Sequence, residues 1–169
     1  MTARPKTLLE MAGAPNAPAR FDEAAVIVID AQGEYLDGAL PLTGIGPALD
    51  NVAALLKAAR AAGAPVIHVA HKGRPGALFD RDGPGGRIVD QAAPQAGETV
   101  IEKGLPNSFA GTNLKEAIEA TGRKKLIVAG FMTHMCVSAT VRAALDLGYL
   151  STVVADAAAT RPLPDPVTG

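Results

Sequence analysis

Three reactive side chains stand at the ends of three short apolar runs. Asp30 closes AAVIVID (24–30), Lys103 closes ETVIEK (98–103), and KLIVAGF (125–131) runs into the turn that carries Cys136, the only cysteine of the chain. A lone cysteine is by type most often a small buried hydrophobe. An acid, an amine and a thiol at three strand ends form a set with a chemistry of its own, nucleophilic attack on a carbonyl carbon. The thiol must lose its proton to attack, and a helix N-terminus and a nearby ammonium both favour the thiolate. Asp30 is suited to take that proton and hand it to a leaving amine. Lys103 would stabilise both anions and orient Asp30. Backbone N–H groups of the turn 132–136 would face a developing oxyanion. Each residue also has an ordinary reading: Asp30 as a turn cap, Lys103 as a solvated strand end.

The histidines add little that is decisive. His68 and His71 lie three apart in PVIHVAH (65–71), a spacing that turns them to opposite faces of a strand. They cannot readily share a metal, but His71, at the strand end, could reach the same rim as Asp30. His134, two residues before Cys136, is expected to face solvent or the mouth of a pocket. No HxxxH, DxH or Cys/His cluster occurs, so no metal site and no cofactor is expected. GIG at 44–46 lacks the third glycine and the preceding strand of a dinucleotide loop. A P-loop and a Gly-x-Ser-x-Gly elbow are absent too.

The elements that must position these residues are legible as alternation. The runs at 24–30, 65–71, 125–131 and 151–157 are nearly continuous and rich in β-branched or small residues, the pattern of strands buried on both faces in a parallel sheet. ETVIEK is more mixed and is expected nearer an edge. Between them, IGPALDNVAALLKAARAAG (45–63), GTNLKEAIEATG (111–122) and VSATVRAALDLG (137–148) carry apolar residues at helical spacing and end at glycine. Strand–helix alternation predicts an α/β fold, a three-layer α/β/α sandwich on a mainly parallel sheet with right-handed crossovers. Ligands bind such sheets outside the carboxyl ends of the strands, the rim to which the three reactive residues belong. Residues 72–97, rich in Gly and Pro and without periodicity, break the rhythm. They are either a plain surface excursion or a loop that covers the substrate or contacts a partner subunit.

Composition bounds the rest. The 169 residues, 48% hydrophobic and only 4% aromatic with no Trp, fit one domain with an aliphatic core. The division expected is an N-terminal arm over 1–20, with a single helical turn at 8–11, and one α/β domain over 21–169. A net charge of −1 with scattered Lys and Arg argues against a nucleic-acid or polybasic membrane partner. One cysteine excludes an internal disulfide, no apolar run reaches the length of a membrane span, and the first twenty residues lack the apolar stretch of a signal peptide. A cytoplasmic protein acting on a small molecule is expected.

The motifs VIDAQ, VIEKGLPNSFAGTNL and AGFMTHMCVSATVRAALDLGY, in this order, followed by VVADAAATRPLPD, resemble the isochorismatase-like cysteine hydrolases over about 24–164. The resemblance implies that fold, and places Asp30, Lys103 and Cys136 on the family's Asp–Lys–Cys triad. It implies a non-proline cis peptide between Phe131 and Met132, with the amides of Met132 and Cys136 as oxyanion hole. It also implies that Gln32 and Phe109 line the substrate pocket and that the protein is a homo-oligomer; His71 joins them as a substrate-binding candidate from its strand-end position alone. HVAHKGRPGALFD lacks the Asp/His metal cluster that nicotinamidase-type members carry after the second strand, so nicotinamide is not the substrate expected. The chain stops at PDPVTG (164–169), where relatives continue, and the family's last helix and strand are expected to be missing.

Three functions stay open at this point. The first is a cysteine hydrolase that cleaves the C–N bond of a small amide or carbamoyl-type substrate through a thioester. The second is a vinyl-ether hydrolase in which Asp30 protonates substrate. The third is a non-catalytic thiol-bearing binding module.

Overall fold

The computed structural model describes residues 4–14 and 17–163; the predicted C-terminal stop at PDPVTG lies outside them. Five strands, β1 (Ala24–Ile29), β2 (Val66–His71), β3 (Thr99–Lys103), β4 (Lys125–Phe131) and β5 (Leu150–Ala159), form one sheet in the order β3-β2-β1-β4-β5. All four pairings are parallel. The sheet is therefore the predicted α/β sheet, and the strand order reverses between β1 and β4, where the connections leaving the two strands run to opposite sides and parallel sheets leave a crevice at their carboxyl ends.

The layers follow from side-chain alternation along β1, all six residues of which are buried. Ala24, Val26 and Val28 pack with Ala48, Leu49, Val52, Leu56 and Ala59 of α2 (Ile45–Ala61). Ala25, Ile27 and Ile29 point the other way, against Leu114 and Ile118 of α3 (Leu114–Ala120) and Ala144 of α4 (Ser138–Asp146). Burying each of these Val, Ile and Leu side chains stabilises the fold by about 1.5–3 kcal/mol relative to exposure. α2 stops where the sequence said it should. Gly63 takes φ 66°, and its N–H and that of Ala64 turn back to Arg60 and Ala59 carbonyls. α1 (Leu8–Met11) is one capped turn in which the Thr7 hydroxyl accepts from the Glu10 N–H and the Glu10 carboxylate accepts from the Thr7 N–H.

β5 departs from expectation. Its sequence reads as a strand buried on both faces, yet it is an edge strand of ten residues in which Leu150 and Val153 are exposed and only Ala157 is buried. α2 covers one face, where Asn51 Nδ2 donates to Asp156 O. Toward α4 the packing leaves a hollow of about 320 Å³ lined by Val137, Val141 and Val153. Hydrophobic content reports β propensity here and does not report what covers the strand. β3 is the other edge, as its mixed pattern suggests.

Candidate active site

Four strand ends meet at the carboxyl-end rim of the sheet. Asp30 continues β1 by one residue, its N–H donating to Val69 O at 2.8 Å, and takes φ 51°. Left-handed backbone is uncommon outside glycine and concentrates at functional sites. His71 and Lys103 end β2 and β3 opposite each other in register. β4 ends differently. Gly130 has φ 117°, and a Cβ there would lie 2.0 Å from Ile29 O, so only glycine lets β4 pass this close to β1. The Phe131–Met132 peptide is cis, and residues Thr133–Val137 form a π-helical turn that leads into α4. Cys136 lies in that turn, two residues before α4 begins.

The structure brings Asp30, Lys103 and Cys136 together. Lys103 Nζ is 2.8 Å from Asp30 Oδ2 and 3.4 Å from Cys136 Sγ, and the Asp30 and Lys103 side chains are fully buried. The Asp30 contact is an ion pair held by proximity rather than an aligned hydrogen bond, and both carboxylate oxygens lack an aligned donor. Such oxygens are free to accept a proton from a neighbour. Cys136 is 4% exposed, so its sulfur is shielded from bulk water.

Electrostatics correct one expectation. A helix terminus and an ammonium were expected to favour the thiolate. Burial, then the negative charge of Asp30, outweigh Lys103 and push the Cys136 thiol up to about 11. Burial also raises the Asp30 carboxyl, with Lys103 opposing it. Both shifts have one cause: a dry site with one ammonium holds one compensating negative charge well and a second one poorly. Moving a proton from sulfur to carboxylate keeps that total and transfers the charge between two atoms beside the same Nζ.

The remaining predicted residues are placed as follows. Gln32 is 1% exposed, and its amide is fully engaged: Nε2 donates to His71 O at 2.9 Å and Gly86 O at 2.7 Å, while Oε1 accepts the His71 N–H at 2.7 Å. It ties loop 72–97 to β1 and β2 and offers no free polar group to a substrate. Phe109 is half-buried and stacks on Tyr149 with ring centroids 6.3 Å apart. His71 places Nδ1 3.2 Å from Lys103 Nζ. His134 is exposed and bonds through Nδ1 to the Thr160 hydroxyl. Met132 is the residue from which the π-helical turn starts, and its carbonyl accepts the Met135 and Val137 N–H groups. Among the described residues no group of three or more His, Cys, Asp or Glu side chains is placed to hold a metal ion.

Polar supports that the sequence did not disclose brace the loops between these strands. Glu98 accepts both Arg60 Nε (2.8 Å) and Nη2 (2.9 Å), His68 Nε2 (2.9 Å) and the Gln95 N–H (2.8 Å), closing the end of loop 72–97 onto α2 and β2. Burial alone would raise its pKa; these donors overcome that and hold it down to about 2. Buried Glu34 accepts the Ala39 and Phe79 N–H groups from two loops. Ser108 is buried against Thr140 of α4, which accepts the Ser108 N–H at 3.0 Å and donates to its hydroxyl at 2.8 Å, anchoring the loop after β3. Sequence signals for these exist only as polar residues in apolar surroundings, as with His68 within PVIHVAH.

The isochorismatase domain family profile matches residues 24–166. The chain belongs to the isochorismatase family. It is a hydrolase of the α/β type described above. Its fold superposes with TM-score 0.92 on an isochorismatase from Pseudomonas putida KT2440, 47% identical, over 96% of this chain and 84% of that one. It is 40% identical to a secreted isochorismatase effector of Verticillium dahliae over 91% of this chain and 82% of that protein. An N-carbamoylsarcosine amidase from Thermoplasma acidophilum superposes at TM-score 0.79 with 28% identity, over 84% of this chain and 87% of that one. Family membership covers the strands that end in Asp30, Lys103 and Cys136. Among the described residues no helix is long and apolar enough to cross a membrane.

Proposed function

We propose that this isochorismatase-family hydrolase cleaves the C–N bond of a small amide or carbamoyl-type compound through a thioester on Cys136. The observation that carries the reading is the single buried ammonium of Lys103, shared between Asp30 Oδ2 and Cys136 Sγ. In the resting site the thiol is neutral and the carboxylate holds the negative charge. As Sγ approaches the substrate carbonyl carbon, Asp30 takes its proton and the C–S bond forms. The carbonyl oxygen becomes an oxyanion, for which the amides of Met132 and Cys136 are the donors assigned. Collapse breaks the C–N bond, and Asp30 returns the proton to the leaving nitrogen. Asp30 then deprotonates a water, which attacks the thioester; the acid leaves and sulfur regains its proton. Lys103 faces the negative charge at every stage. The amidase among the structural relatives supports a C–N bond as the target. Cys136→Ala is expected to abolish turnover in a protein that still folds; full activity in that variant sinks the covalent route.

One observation favours a second reading. Burial raises the Asp30 carboxyl, which suits a general acid that protonates a vinyl ether with Cys136 as a bystander. Assaying isochorismate beside a panel of small amides, with wild type and Cys136→Ala, separates the two. A reducing compartment, the cytoplasm, would keep the lone thiol free; the Verticillium relative is described as secreted, and cell fractionation decides the place of action. We also propose a homo-oligomer, because Leu145, Leu150 and Val153 leave apolar surface exposed along α4 and β5. Light scattering on the purified protein reads its mass.

A further inference from the structure

His71 stands where Lys103 has to pass. β3 is two strands from β1, with β2 between them, so the Lys103 side chain crosses the carboxyl end of β2 to reach Asp30. His71 is the residue at that end, paired in register with Lys103 itself. Its Nδ1 lies 3.2 Å from Nζ, beside Asp30 Oδ2 at 2.8 Å and Cys136 Sγ at 3.4 Å. An ammonium has three N–H donors and no acceptor, and three acceptors surround this one.

The residue is held from its other sides as well. Gln32 bonds both its backbone N–H and its carbonyl, and the Phe79 ring packs 5.0 Å from the imidazole. Nε2 has no hydrogen-bond partner among the described residues and is not among the fully buried unpaired polar atoms. The edge of the ring opposite Lys103 is therefore open.

We propose that His71 is a positioning residue for Lys103: its bare Nδ1 accepts the third N–H of the ammonium, which fixes the ring as the neutral Nε2–H tautomer and leaves that N–H available to the substrate. The role rests on the hydrolytic reading above, in which the ammonium must stay centred between carboxylate and sulfur. Without an acceptor at Nδ1, one N–H of a fully buried ammonium goes unpaired and Nζ is free to swing off one of its two partners. A doubly protonated ring cannot fill the role, because Nδ1–H would then face Nζ. The groups that face the ring are Lys103 from β3, Asp30 from β1 and Phe79 from loop 72–97, with Cys136 across the same ammonium. Burial, then Lys103, holds the ring below the ordinary histidine range, with Asp30 opposing.

Two measurements test this. In wild-type protein, two-bond ¹H–¹⁵N correlation spectra should show His71 with its proton on Nε2 and a bare, hydrogen-bonded Nδ1, still neutral at a pH of about 6.5, the ordinary histidine midpoint. A proton on Nδ1, or a doubly protonated ring at that pH, overturns the proposal, and this readout stands whether or not a substrate is known. In kinetics, His71→Phe removes the acceptor and should lower kcat about a hundredfold with a smaller change in KM. His71→Asn, whose side-chain oxygen takes the place of Nδ1, should recover most of that loss. Equal losses in the two variants overturn the proposal, whereas absence of any Cys136-dependent hydrolysis in wild type overturns the hydrolytic reading and leaves the spectra to decide the His71–Lys103 contact.

Discussion

Replacing Asp30 with Asn should make Cys136 easier to alkylate while destroying turnover. The opposite signs come from the two things Asp30 does. Its negative charge is, after burial, the main cause that holds the Cys136 thiol up to about 11. At pH 8 that leaves about one thiol in a thousand ionised, against about one in four for an ordinary cysteine with a pKa near 8.5. Ionisation alone thus slows wild-type labelling about two hundredfold relative to a free thiol. Burial of the sulfur slows it further at every pH without moving the profile. Removing the carboxylate leaves Lys103 as the only charge beside Sγ. Each unit by which the thiol then falls speeds labelling about tenfold at fixed pH. Turnover goes the other way, because the base is gone, by about 10²–10⁴-fold. The assay is pseudo-first-order iodoacetamide labelling read by intact mass from pH 6 to 10, run on wild type and Asp30→Asn. Wild type should rise with pH throughout, without a plateau below about 9. A wild-type midpoint below 8.5, or slower labelling in Asp30→Asn, would refute the electrostatic account of the site.

Two further outcomes follow from the supports. Glu98 is held at about 2, down from 4.5, and a depressed acid contributes stability that is present above its unfolded pKa and lost as pH falls through the folded one. Glu98→Gln should therefore cost about 3 kcal/mol at pH 7 in urea unfolding, with the gap from wild type closing between about pH 4.5 and 2; a gap independent of pH contradicts the network. Gly130→Ala should cost about 3 kcal/mol or more, since its Cβ would meet Ile29 O at 2.0 Å with φ at 117°; a variant within 1 kcal/mol of wild type on the same urea scale shows that the β1–β4 approach is not as tight as drawn.

Much of the site was legible because parallel sheets put chemistry at strand ends. The runs ending at Asp30, Lys103 and Phe131 were enough to place an acid, an amine and a thiol on one rim. What the sequence hid depends on contacts that no period reports. β5 reads as a buried strand because Val153 and Val154 satisfy the pattern whether or not anything covers them. Resemblance points Gln32 to the pocket, whereas its bonds to His71 and Gly86 depend on a loop whose path no periodicity reports. The sign of the thiol shift escapes the sequence for a physical reason: adjacency of an ammonium is visible in a motif, whereas the depth of burial that outweighs it is not. His71 was visible as a strand-end histidine, but its contact with Nζ follows from the β3-β2-β1 order, which alternation alone does not fix.

The central claim is that Cys136 forms a covalent bond to the acyl part of the substrate. Intact-mass spectrometry of protein quenched in acid during turnover of a screened amide tests it directly. The account predicts a mass increase equal to the acyl group, mapped to the peptide containing Cys136, sensitive to hydroxylamine and absent from Cys136→Ala. Steady turnover by Cys136→Ala, or an acyl adduct mapped to another residue, would contradict it.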